Sequence, residues 1–176
     1  MGTGAPIPDS VLDDVRGRAR SPAVAWLRRA TVAALAVVLA VGATGWLGVR
    51  STTAHVSGAG YELALEYPLV ARAGLDVPWE LTVRRHGGFP GPVTVVVDSD
   101  YFDMFETQGW TPTPAAETRD GTRTYLTIDP PPGDTLTLAF DAYVEPSRQL
   151  GASGAVSITD RGVDVITLEF RTRLVP

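Results

Sequence analysis

The densest set of chemically able side chains runs from Asp98 to Glu106, where Asp98, Asp100, Asp103 and Glu106 place four carboxylates in nine residues. Carboxylate oxygens are hard ligands of the kind Ca²⁺ prefers, but a calcium loop of the EF-hand type needs oxygen at its fifth position and glycine at its sixth. Counted from Asp98, those positions hold Phe102 and Asp103. The spacing therefore predicts a solvated loop after a strand, with Asp100 capping a helical turn, and no metal or other cofactor is expected. The same stretch carries Tyr101, Phe102, Phe105 and Trp110, four aromatics within ten residues of a chain that is 8% aromatic. Exposed, they would form a recognition surface for protein, sugar or lipid headgroup. Buried, they would plug one end of a domain, which is the expected outcome because large apolar side chains usually end up inside. Asp100, Tyr101, Phe102, Phe105 and Trp110 are accordingly the candidate interaction residues, and a metal- or glycan-binding loop over 98–110 is the alternative.

Catalytic patterns are thin. The two histidines are His55, in a small-residue stretch, and His86, beside a Gly-Gly turn. A Ser-His-Asp arrangement needs a positioned base, and no nucleophile-elbow, zinc-protease or phosphate-cradling motif accompanies either histidine. Arg84-Arg85 reads as a strand end before an anion site. The chain has no Cys, which removes disulfides, zinc-thiolate sites and cysteine nucleophiles. The expectation is that the protein is not an enzyme.

The elements that must position these residues follow from charge and periodicity. All fifteen bases are Arg, and neither Lys nor Asn occurs; both have A-rich codons, so their absence points to a very GC-rich bacterial genome. Residues 1–50 hold six Arg and three Asp, while 51–176 hold nine Arg against seventeen acids, a net of −8. An acidic domain of this kind is a poor match for nucleic acid, whose binders need a basic face. Between the blocks, 30–49 is free of charge and bracketed by Arg28-Arg29 and Arg50. As a helix it would span about 30 Å, the hydrocarbon thickness of a bilayer, with Trp46 near one interface. A secretory signal cut near Thr44 is the competing reading, though 29 residues is a long leader and the apolar run continues past the cut. Arg16, Arg18, Arg20, Arg28 and Arg29 precede the span, which predicts a cytoplasmic N-terminus. The organisation expected is a cytoplasmic tail over 1–29 with a weak helix start at Ser10 and Asp13, a transmembrane helix over 30–49, a stalk over 50–58 and an extracytoplasmic domain over 59–176.

That domain alternates with period two in 61–67, 79–84, 93–97, 124–128, 136–144, 156–158 and 166–170, with Gly-, Pro- and Asp-rich turns between. Seven or eight half-buried antiparallel strands predict an all-β, immunoglobulin-like sandwich in architecture, with Trp79 as its core aromatic. The stretches YPLVARAGLDVPWELTVRRHGGFPGPVTVVVDSDYFD and DPPPGDTLTLAFDAYVEPSRQLGASGAVSI, after one N-terminal span, resemble a group of uncharacterised single-pass membrane proteins of high-GC Gram-positive bacteria. That resemblance implies an anchored, outward-facing domain and supplies no functional residues. The expected role is an interaction module accessory to another membrane or envelope protein.

Overall fold

The structure, a computed structural model, describes residues 22–43, 48–106 and 109–175. The chain divides into two units, Met1–Gly45 and Trp46–Pro176. The helix start at Ser10, the interfacial Trp46 and the cleavage point near Thr44 lie outside the described residues.

Helix α1 is Pro22–Ala43, 22 residues. Pro22 suits a first helical turn, where its missing N–H costs nothing, and Ala, Leu and Arg are strong helix formers. The helix begins eight residues before the expected start at Ala30, and Gly48 and Val49, expected at its far end, are not helical. Glycines at 42 and 48, each lowering helix propensity by about 1 kcal/mol, suit a helix that does not include residues 48 and 49. None of its residues is buried, and it is long and apolar enough to cross a membrane.

The second unit is an antiparallel β-sandwich. One sheet runs in the order β1 (Arg50–Gly58), β2 (Tyr61–Ala71), β4 (Glu80–Arg85), β9 (Thr135–Phe140) and β6 (Trp110–Thr111), with β13 (Arg173–Leu174) parallel beside the end of β2. The other runs β12 (Val163–Arg171), β11 (Ser153–Asp160), β5 (Val93–Asp98), β8 (Arg123–Ile128) and β7 (Ala116–Asp120). The short strands β3 (Asp76–Val77) and β10 (Ala142–Tyr143) pair only with each other. A single turn, α2 (Ser99–Phe102), follows β5. The likeness to an immunoglobulin domain is one of layers: β2 and β4 are neighbours here, whereas that fold sends its third strand to the opposite sheet.

The alternation works as periodicity requires. Leu63, Leu65 and Tyr67 of β2, with Leu81 and Val83 of β4, face Val95 and Val97 of β5 and Ile166, Leu168 and Phe170 of β12 in one core. The run 136–144 keeps its alternation but changes partner, pairing with β4 up to Ala139 and with β3 from Ala142. The expected stalk over 50–58 is corrected: it is β1, paired with β2 along its whole length. Its inward residues, Thr52, Ala54 and Val56, are only half-buried, so small polar neighbours hide the pattern. The β1–β2 turn is Ala59-Gly60, both at positive φ (51° and 80°), the geometry of a two-residue hairpin whose twist matches its strands. The edges of the two sheets meet on this side: a Cβ on Gly58 would lie 3.7 Å from Ile166 Cδ1.

Candidate functional site

The loop after β5 folds inward. Ser99 N–H donates to Thr122 O at 2.7 Å, and the Ser99 and Thr124 hydroxyls are 2.7 Å apart. Asp98, not Asp100, precedes the helical turn, and its carboxylate accepts the Ala155 N–H at 2.9 Å instead of capping. Asp100 is exposed. Asp103 lies 3.5 Å from an Arg119 nitrogen. Asp98 and Asp103 thus point to different partners, and among the described residues no three acidic or histidine side chains are grouped to hold an ion.

Of the five candidate residues, Tyr101 is fully buried, Phe105 is buried in the core with only an edge exposed, Phe102 and Trp110 are half-buried, and Asp100 is exposed. The aromatics form one lattice. Tyr101 meets Phe170 edge-on at 4.7 Å, Phe102 meets Phe140 at 5.0 Å, and Trp79 meets Phe102 and Trp110 at 5.2 and 5.5 Å. Such edge-to-face pairs contribute roughly 0.5–1.5 kcal/mol each beyond area burial. The rest of the loop is stitched to the strand after β9, with Glu106 N–H on Tyr143 O at 2.9 Å and Glu145 N–H on Met104 O at 3.0 Å.

Tyr101 also anchors a buried relay. Thr172 Oγ1 donates to the Pro68 carbonyl at 2.6 Å; its one proton is thereby used, so the Tyr101 hydroxyl, 2.8 Å away, donates to Thr172. Burial raises the Tyr101 phenol above its ordinary range. A folded-state pKa raised above the unfolded value means stability that is complete below about pH 10 and lost as pH climbs beyond it. The wild-type melting temperature is therefore expected to fall faster above pH 10 than that of Tyr101→Phe, itself destabilised by about 1 kcal/mol at neutral pH. Parallel alkaline limbs would remove Tyr101 as the cause.

A recess of about 510 Å³ opens beside this lattice, with Phe102, Phe105, Trp110 and Phe140 on its floor and Asp103, Glu106, Glu117 and Arg119 at its rim. It lies between β6 and β7, the free edges of the two sheets. Phe140, Glu117 and Arg119 are site residues that the loop's own sequence does not reveal. Strand β7 is exposed at every position, so alternation could not mark it; its only signal is the Asp120-Gly121 turn into β8. Arg84 and Arg85 are already engaged, Arg84 with Asp134 at 3.3 Å and Arg85 over the Tyr61 ring at 5.4 Å with a bond to Gly88 O at 3.0 Å. His86 faces Glu62 at 3.9 Å, both well exposed. The chain matches no protein-family description, and no curated protein is similar to it.

Proposed function

We propose that the protein is a membrane-anchored, extracytoplasmic interaction module without catalytic activity, held by α1 and engaging a membrane or envelope protein through the open side of its sandwich. The observation that carries the anchor is an apolar 22-residue helix with no buried residue, which in water would be a liability and in lipid is satisfied. The arginines at 16, 18, 20, 28 and 29 favour a cytoplasmic N-terminus. For the partner, the support is the recess between two free sheet edges: half-buried Phe102 and Trp110 offer aromatic anchors of the kind that dominate interfaces. Its rim carries three acids to one Arg, which suits a basic segment. The unpaired side of β7 can accept an added strand, and the acidic domain argues against nucleic acid.

The test is purification of the tagged full chain from membranes washed with carbonate and 1 M salt. The chain is expected to stay with the membrane and to bring a second protein that Trp110→Ala with Glu117→Arg loses. A mature form beginning near Thr44 in the soluble fraction would make α1 part of a cleaved signal. Full recovery of the second protein with the double variant would move the interface elsewhere.

A further inference from the structure

The arginines of the acidic domain are not spread evenly. Three segments that meet at one end of the sandwich, 68–76, 143–152 and 171–175, hold Arg72, Arg148, Arg171 and Arg173 against two acids, Asp76 and Glu145; the 99–106 turn bonded beside them adds Asp100, Asp103 and Glu106, and the remainder of 51–176 holds five Arg against twelve acids. Backbone pairing brings these segments together: Arg173 lies opposite Val70, Gly74 N–H donates to Val144 O at 2.9 Å, and Val175 N–H to Ala71 O at 3.0 Å. Elsewhere Arg84, Arg119 and Arg123 are matched with carboxylates. Among the described residues none of the four arginines at this end is ion-paired; Arg148 reaches only the Asp103 carbonyl, at 2.7 Å, and the buried Nε of Arg72 has no acceptor.

Apolar exposure concentrates at the same end. Among the described residues of the domain five large apolar side chains are exposed, and four of them, Leu69, Leu75, Leu150 and Val175, are here; Leu150 is 81% exposed. Two adjoining recesses share Gln149 and Leu174, one of about 510 Å³ lined by Arg72 and Arg148, the other of about 460 Å³ lined by Leu150, Arg171 and Arg173. This is also the end where the chain enters the domain, since Arg50 pairs with Val70. Only residues 44–49 separate Ala43 from Arg50, a reach of at most about 25 Å.

We propose that this end of the domain rests on the headgroup layer of an anionic membrane, its arginines on lipid phosphate oxygens and its leucines among the outer acyl carbons. The inference builds on the anchored reading above and adds what the domain does there. Guanidinium groups match phosphate in fork geometry, each basic residue near an anionic surface contributes about 1 kcal/mol, and apolar side chains beside them add insertion. The strongly acidic remainder is repelled from the same surface, so the charge asymmetry selects one end.

With no Cys in the chain, single-cysteine spin labels report one position at a time. Leu150→Cys and Leu75→Cys, with Val163→Cys as the exposed control away from this end, are placed in the full chain in nanodiscs of phosphatidylcholine with or without phosphatidylglycerol. With phosphatidylglycerol, collision of the 150 and 75 labels with a water-soluble nickel complex is expected to fall several-fold below that of the 163 label. Changing Arg171 and Arg173 to Gln is expected to lower the ratio of membrane-seated to free label about fivefold per arginine, the equivalent of about 1 kcal/mol each; both are exposed, so folding is spared. If the chain stays with the discs in 1 M NaCl but all three labels are equally accessible, the anchor stands and the headgroup contact is overturned, leaving this surface to a protein. If the chain leaves the discs, the anchored reading fails and the contact with it.

Discussion

Trp79→Ala is expected to remove a large share of the β domain's stability. The indole is 1% exposed and touches three other rings, Phe102 and Trp110 from the loop region and, at 6.4 Å, Phe170 from the opposite sheet. Truncating a buried Trp costs about 3–5 kcal/mol, set against a total stability of about 5–15 kcal/mol for a domain. The indole N–H has no acceptor among the described residues. Trp79→Phe thus keeps a ring and deletes a desolvated donor, whose burial alone costs about 1–3 kcal/mol, so it should be far milder than the alanine change. Denaturant titration of both variants checks this. Equal losses would mean that the indole N–H is satisfied in solution; a loss below about 1.5 kcal/mol for Trp79→Ala would mean that the ring lattice does not join the sheets.

The second large effect is expected at Gly154. Its φ is not left-handed, so backbone freedom is not its role; closeness is. A Cβ there would lie 2.8 Å from Tyr101 Cβ, 2.9 Å from Cγ and 3.1 Å from Phe170 Cζ. The near atoms are the root of the Tyr101 side chain, which cannot swing away, so α2 must move off β11 and the Tyr101–Thr172–Pro68 relay must stretch. Gly154→Ala is expected to cost about 3 kcal/mol, the upper end for overpacking a core. In a Tyr101→Ala background the same change should cost much less, a coupling that a double-mutant cycle reads directly. Additive losses would place the strain elsewhere.

Where a strand buries one face with large residues, alternation alone located it: β2, β5, β8, β11 and β12 contain the expected runs, the run 79–84 overlaps β4, and the run 136–144 covers β9 and continues into β10. It did not locate β1 or β7, for two reasons. The half-buried face of β1 is built from Thr52, Ala54 and Val56, too small to contrast with its serines and threonines, and β7 buries nothing. Composition revealed that 98–110 was rich in acids and aromatics, and the inward turn of Tyr101 followed from its size. The recess did not follow, because its floor needs Phe140 and its rim Glu117 and Arg119, residues brought to the loop only by sheet pairing. The concentration of unpaired arginines at one end is likewise a property of pairing, since Arg72, Arg148 and Arg173 are far apart in the chain and adjacent only once β13 has docked beside β2.

That docking has a temporal consequence. The segment 166–174 supplies Ile166, Leu168 and Phe170 to the core, the Thr172 hydroxyl to the relay and Leu174 to the flank of β2. None of these has a substitute earlier in the chain, so the sheets cannot close over one another until about residue 174 is free to pair. A chain synthesised from its N-terminal end therefore keeps this core open until that segment is available. Closure of the core is then a late event, with long-range pairings that make it slow relative to helical domains of similar size.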